Sequence, residues 1–365
     1  MIEVADIFRC HGSDYARTHP LLPSQKKLLQ DLVRCRTPAC GGQLYRCDRC
    51  GHELYSYHSC GNRHCPKCHG QQVERWLEAQ RGRLLPCGYY LLTFTVPRQL
   101  HSLSWSHQKV FYGLLLSSAA AALQKLAWDP RYVGGQLAIL AVLHTWTRAL
   151  LYHPHVHLLV SAGGLAPDQV SWRATRNPAF LVPCFALGKI WRGKIRAGLK
   201  RRQLLDQVDP LAWEQEWVVH CRHAGTGEKA LEYLSRYVFR TAISNSRLES
   251  FANGGVTFRY RDNQSQQMQR VPLGAPEFIR RFLQHVLPRG FVKVRSYGLW
   301  STACRNKLAR ARRLLFTRPA GLAESNPQSQ PGAPSHPPSF LPCPHCKRGH
   351  LIWIRDLPRQ PTRAP

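Results

Sequence analysis

Acidic side chains are scarce in this chain: 21 Asp and Glu stand against 51 Lys and Arg, a formal net charge of +30 over 365 residues. The surplus runs through most of the chain instead of one tail, which argues against a basic partner and for a polyanionic one. Long apolar runs are missing too. The longest, Gly113 to Trp128, is broken by Gln124 and Lys125, and it falls short of the roughly twenty residues a bilayer span needs. The opening MIEVADIFRC holds Glu3 and Asp6 and no apolar stretch, so neither a secretory signal nor a membrane partner is expected. Repeats at solenoid periods are also absent. What remains is a chain with 44% hydrophobic residues and 10 Trp, enough for a folded core and unlike a basic tail. In a reducing cytoplasm its 14 cysteines should be ligands or buried thiols, not disulfides.

Half of those cysteines lie between Cys35 and Cys68. Cys47 and Cys50 form one knuckle and Cys65 and Cys68 another, and the two-residue gap lets each pair span two corners of a tetrahedron. Cys60 and His64 are candidate substitutes for one ligand, or they join Cys35 and Cys40 in a second site. A structural zinc module that binds DNA is expected over residues 1–86. Near the other end, CPHC at Cys343 and Cys346 supplies only half of such a site.

From Cys87 the pattern changes. Strands are expected at 89–96, 135–146, 153–164 and 214–221, with a long helix over 101–126 and a basic helix over about 180–205. The order strand, helix, strand, strand, helix, strand is that of a ferredoxin-like, split βαβ antiparallel sheet in an α+β protein. A further hairpin strand (254–263), a helix (275–288) and a strand (290–298) extend this domain, which is expected to cover 87–316. Residues 317–340, rich in Pro, Ser, Gly and Gln, read as a disordered linker, and 341–365 as a tail with the CPHC knuckle.

Two short segments carry the chemistry. In HPHVHLLV (153–160), His155 and His157 sit two apart, so on a strand they share a face and can share a divalent cation. In EYLSRY (232–237), Tyr233 and Tyr237 sit four apart, so on a helix both phenols share a face. Taken separately, each pattern is more often packing. On a basic chain the combination suggests paired strand transfers on DNA. A phenol titrates near ten and attacks a charged phosphodiester poorly, which a bound cation remedies by polarising the phosphate. Attack would leave a 5′-phosphotyrosine and a free 3′-hydroxyl, and its reversal would rejoin DNA without ATP.

The zinc cluster ending CGNRHCPKCHG, then LLTFTVP, LHTWTRALLYHPHVHLLVSAGG, LEYLSRYVFRTAISNSRL, VTFRYRD and EFIRRFLQHVLPRGFVKVRSYG, come in an order that resembles the two-tyrosine rolling-circle transposases of bacterial insertion sequences, within the HUH endonuclease superfamily. The resemblance implies that His155 and His157 are metal ligands and that Tyr233 and Tyr237 are nucleophiles. It implies magnesium or manganese as the catalytic cation, single-stranded element ends and target DNA as substrates, and the host replication machinery as a partner in the bacterial cytoplasm, at the nucleoid. The superfamily usually completes the metal site with Gln, Glu or His, but this chain has Arg148 where several relatives have Gln. Arginine offers no lone pair, and His144 is the candidate third ligand if a hairpin brings it opposite the pair. Candidate DNA contacts are Lys189, Arg192, Lys194 and Arg196, with Trp191 interleaved as in single-strand binders, and Arg236 and Arg240 beside the tyrosines. A plasmid replication initiator or relaxase-like nickase, and a non-catalytic zinc-dependent DNA-binding regulator, are the competing readings. A zinc hydrolase using His153, His155 and His157 is weaker, since His153 precedes Pro154 and no obvious general base accompanies the three.

Overall fold

The protein is described by a computed structural model covering residues 2–68, 70–177, 180–239, 242–262, 265–316 and 341–360, without the side chains of Gln71, Arg236, Tyr237 and Phe239. Arg240 and the expected linker 317–340 therefore lie outside the described residues, as do the side chains of Arg236 and Tyr237.

Alternation along one long strand, Tyr152–Leu165, organises the larger unit, residues 70–316. Val156, Leu158 and Val160 point to one side of the sheet and join an apolar core with Tyr90, Leu92, Phe94, Ile139 and Leu143. The helices Gln108–Ala127 and Cys184–Lys200 cover that side. Residues of the other parity, His155, His157 and Leu159, face the opposite side, where Leu91, Leu140 and Val142 pack with Leu231 and Leu234 of the helix Glu228–Phe239. A one-residue slip would drive the imidazoles into the apolar layer, so the hydrophobic pattern itself holds the register.

In space the main strands run Val294–Gly298, Gln136–Trp146, Tyr152–Leu165, Tyr89–Thr95, Val219–His223, and every neighbouring pair is antiparallel. The short strand Trp172–Ala174 pairs with the far end of the histidine strand. The last strand of the core starts later than the expected 214, because Leu211–Glu214 turns into a short helix and Trp217 is buried before the ladder begins. Leu248–Ala252, Gly255–Arg261 and Met268–Gly274 form a separate three-stranded sheet, while Val294–Gly298 extends the central one.

The helix expected over 101–126 is divided at His107 into His101–Ser106 and Gln108–Ala127, and the second of these is long and apolar enough to cross a membrane. Most of its length is buried within this unit, which marks it as the core helix beneath the sheet. It approaches the basic helix closely because Gly198 has no side chain: a Cβ there would run into Leu114.

The smaller unit is built from residues 3–68 and 341–360. Two helices, Val4–Thr18 and Pro23–Arg34, accompany a four-stranded sheet in the order Leu341–Pro342, His350–Leu357, Gly42–Cys47, Glu53–Tyr57. Residues 341–360 are thus a strand-bearing part of the cysteine-rich unit and not a separate tail. Conversely, residues 70–81, which fall within the expected 1–86 module, form the helix Gly70–Arg81 of the larger unit. There Trp76 and Leu77 pack into the apolar layer of the tyrosine helix and Arg81 pairs with Glu232 at 2.7 Å.

Candidate functional site

The hairpin joining Gln136–Trp146 to Tyr152–Leu165 sets His144 directly across from His155, and Val142 across from His157. The three imidazoles are buried, and one ring nitrogen from each lies within 4.8 Å of the others. His144 Nδ1 is 2.8 Å from His155 Nε2. On its far side His155 presents Nδ1 to the carbonyl of His153 at 2.7 Å, and His157 presents Nδ1 to the Thr93 hydroxyl at 3.0 Å. Such outer contacts fix the tautomer and orientation of metal-ligating histidines. Burial holds His144 and His155 well below the usual histidine range and His157 at about 4. Smaller contributions come from neighbouring imidazoles and, at His157, from Arg222. Near neutral pH the rings are therefore uncharged, the form that offers lone pairs to a cation.

Facing this cluster is the tyrosine helix. The half-buried ring of Tyr233 meets His157 edge to face, with centroids 5.9 Å apart, and the Arg222 guanidinium sits 5.8 Å from the same ring. Tyr237 lies one helical turn further along the same helix.

Other sequence-stated candidates fall elsewhere. Arg148 is exposed and donates to the carbonyl of Arg261. His153 stays outside the cluster, its ring near His101. The basic helix lies on the opposite side of the sheet from the histidines, and Trp191 within it is fully buried. Its indole N–H reaches Ser118 Oγ at 3.2 Å, and its ring stands edge-on to Phe94 and Trp217. Trp191 is therefore core and no platform for a base: it lies on the buried face of the helix with Leu187 and Ile195, toward the sheet and away from the cations. Arg192 is committed to the carbonyls of Trp213 and Gln215. Lys189 and Arg196 are exposed, and Lys194 is half-buried. Thr93 and Arg222 were missed in the sequence because nothing distinguishes a strand threonine, or one arginine among 51 Lys and Arg, until pairing brings them to the site.

Eight of the fourteen cysteines assemble into two quartets, both in the smaller unit. Cys35, Cys60, Cys65 and Cys68 form one, with sulfurs 3.5 Å (Cys35 to Cys65), 3.6 Å (Cys35 to Cys68) and 3.7 Å (Cys60 to Cys68) apart. A tetrahedron with zinc–sulfur bonds of 2.3 Å has sulfurs about 3.8 Å apart, so the quartet fits zinc. The two expected knuckles do not share a tetrahedron: Cys47 and Cys50 join Cys343 and Cys346 instead. His64 is buried but in neither quartet, and Cys40 donates to the carbonyl of Arg34.

Comparison with known proteins bears on these features. Residues 7–96 match the family described as "Transposase zinc-binding domain", and residues 138–307 match the one described as "Putative transposase". The chain is similar to "Putative transposase y4qJ" of Sinorhizobium fredii (strain NBRC 101917 / NGR234), 37% identical over 96% of this chain and 94% of that one. It is also similar to "Transposase for insertion sequence element IS801" of Pseudomonas savastanoi pv. phaseolicola, 31% identical over 65% of this chain and 60% of that one. No solved structure matches it. With its zinc-fitting cysteine quartet, its histidine cluster and its tyrosine helix inside the matched regions, the chain belongs to the IS91-type two-tyrosine transposases that carry an N-terminal transposase zinc-binding domain.

Proposed function

We propose that this transposase nicks and rejoins single-stranded DNA at the ends of its insertion sequence through 5′-phosphotyrosine intermediates, acting in the bacterial cytoplasm beside the host replication machinery. The observation that carries this reading is the ring of Tyr233 packed edge-on against His157 in a cluster of three neutral imidazoles. The strand order supports an HUH-type, ferredoxin-like core. Numbered by sequence, the four core strands lie in the order two, three, one, four, all antiparallel, with both crossover helices on one side.

His144, His155 and His157 are the residues that would hold the catalytic cation. Three nitrogen donors suit manganese better than magnesium, which prefers oxygen ligands. When bound, the cation supplies Lewis-acid polarisation of the scissile phosphate. The Tyr233 oxygen bonds to phosphorus as its proton leaves. The bond to the 3′ oxygen breaks, and that oxygen takes a proton to become the free hydroxyl. Arg222 adds positive charge beside the attacking ring. A 3′-hydroxyl attacking the phosphotyrosine reverses these steps and reseals the strand. Lys189, Lys194 and Arg196, on the other side of the sheet, would hold DNA away from the reacting phosphate, and Arg236 and Arg240 are the candidates beside the tyrosines.

Incubating the protein with single-stranded element ends and manganese should yield a covalent complex on a denaturing gel, with the DNA mapped to the tyrosine helix. A peptide map that places the DNA on a residue outside this helix would sink the reading. The outer contact at Thr93 provides a graded test. Thr93→Val keeps the shape but removes the hydroxyl that holds His157, and loss of such a contact weakens metal binding by about 10- to 100-fold. A manganese titration of nicking should shift by that factor while thermal stability barely moves. An unchanged titration would mean that Thr93 does not orient the ligand.

A further inference from the structure

The second quartet joins residues from opposite ends of the polypeptide. Cys47 lies 3.7 Å from Cys346, 299 positions away, and Cys50 lies 3.8 Å from Cys343. These spacings match the roughly 3.8 Å of a tetrahedral zinc–thiolate site and are far from the roughly 2.0 Å of a disulfide. Each pair also makes the turn of a zinc knuckle. The backbone N–H groups of Arg49 and Cys50 point at Cys47 Sγ at 3.4 Å, and that of Gly349 points at Cys346 Sγ at 3.3 Å. Bonds of this kind offset the charge of thiolates. The second turn fits only because residue 349 is glycine: a Cβ there would lie 2.5 Å from Cys47 Sγ and 2.6 Å from Asp48 Oδ1.

Apolar packing cannot by itself hold the returning strand. Its local core is Cys47, Cys343 and Leu351 with only Tyr45, Leu54 and Cys346 packed against them, while Ile352, Trp353 and Ile354 are exposed. Yet the strand pairs with Gly42–Cys47 along that whole strand, and bringing it back must overcome the closure entropy of a loop that spans the larger unit. Cores this small are usually stapled.

We propose that Cys47, Cys50, Cys343 and Cys346 bind a second structural zinc ion that clips the two ends of the chain into one zinc-bearing unit. Cys343 and Cys346 lie outside the residues 7–96 matched as a zinc-binding domain, so that domain is completed from the far end of the sequence. The transposase region is then an insertion between two halves of a single metal-bound sheet.

Elemental analysis of the purified full chain should find about two zinc ions, and the full-length double variant Cys343→Ser, Cys346→Ser should retain about one. One ion in the unaltered chain, or two in the variant, would overturn the proposal. Native thiol alkylation read by mass spectrometry avoids reliance on a variant that fails to fold. With zinc bound, Cys47, Cys50, Cys343 and Cys346 should all be protected, and a strong chelator should expose the four together. Labelling of Cys343 and Cys346 before chelation, while Cys47 and Cys50 stay protected, would refute the shared site. A Cys47–Cys346 disulfide in the intact protein would refute it as well.

Discussion

Alanine in place of His157 is expected to lower nicking of single-stranded element ends by about a thousandfold or more, with DNA binding retained. Metal polarisation of a phosphate contributes several kcal/mol to such reactions, and each 1.36 kcal/mol is tenfold in rate, so about 4 kcal/mol corresponds to this loss. His157 is the ligand candidate whose ring meets that of Tyr233, the proposed nucleophile. The competing explanation for a dead variant is unfolding. His157 sits in a strand paired on both sides, with Thr93 and Val142 as its register partners, and most single substitutions cost about 0.5–3 kcal/mol. A loss of that size lowers the melting temperature of a unit of this size by a few degrees, about 2–4 °C per kcal/mol. Thermal unfolding, single-strand binding and nicking measured on one preparation separate the two. Nicking above about a tenth of the unaltered rate, with manganese supplied, would show that the cluster is packing.

Replacing Tyr233 with Phe should remove the covalent adduct at that position and abolish transposition in cells while leaving the fold intact. The ring stays, so its edge-on contact with His157 and the Arg222 cation beside it are preserved; only the hydroxyl is lost. Tyr237→Phe should also abolish transposition, because the proposed scheme gives each strand transfer its own nucleophile, but it should leave a first adduct on Tyr233. The two are not equivalent. One cation can serve one phosphate at a time, so the helix must favour one phenol for the first cleavage. The double variant should form no adduct at all, and an adduct that persists in it would place the nucleophile elsewhere. If Tyr237→Phe still transposes, the protein is a one-tyrosine nickase.

Several features were legible because they depend on local spacing. HVH places two imidazoles on one face of any strand that contains it, and the four-residue gap in EYLSRY places two phenols on one face of any helix. The long strands and helices of the larger unit follow from their periodicity. The structure departs from local spacing where an apolar or aromatic residue has two alternative neighbours. Trp191 stands among cations in sequence, yet its helical phase points it into the core beside Phe94. The strand expected at 214–221 was delayed by a helical turn at Leu211–Glu214. Both outcomes depend on what packs opposite, which composition does not state.

By itself the amino-acid sequence determined the polyanionic partner, through its charge, the knuckle geometry of each cysteine pair, the shared faces of the histidines and of the tyrosines, and the element order of the sheet. Each of these is a property of residues within a turn or a strand of one another, or of a total. Which cysteine pairs meet was decided only by the tertiary structure, because a tetrahedron takes any two knuckles and only the pairing of Gly42–Cys47 with His350–Leu357 selects Cys343 and Cys346 for Cys47 and Cys50. The same holds for the third imidazole. His144 reaches His155 through a hairpin register interrupted between His144 and Trp146, and only the strand order brings Thr93 and Arg222 to His157 and Tyr233. Long-range pairing is set by the balance of burial over the whole sheet, and that balance exists only once the chain has folded.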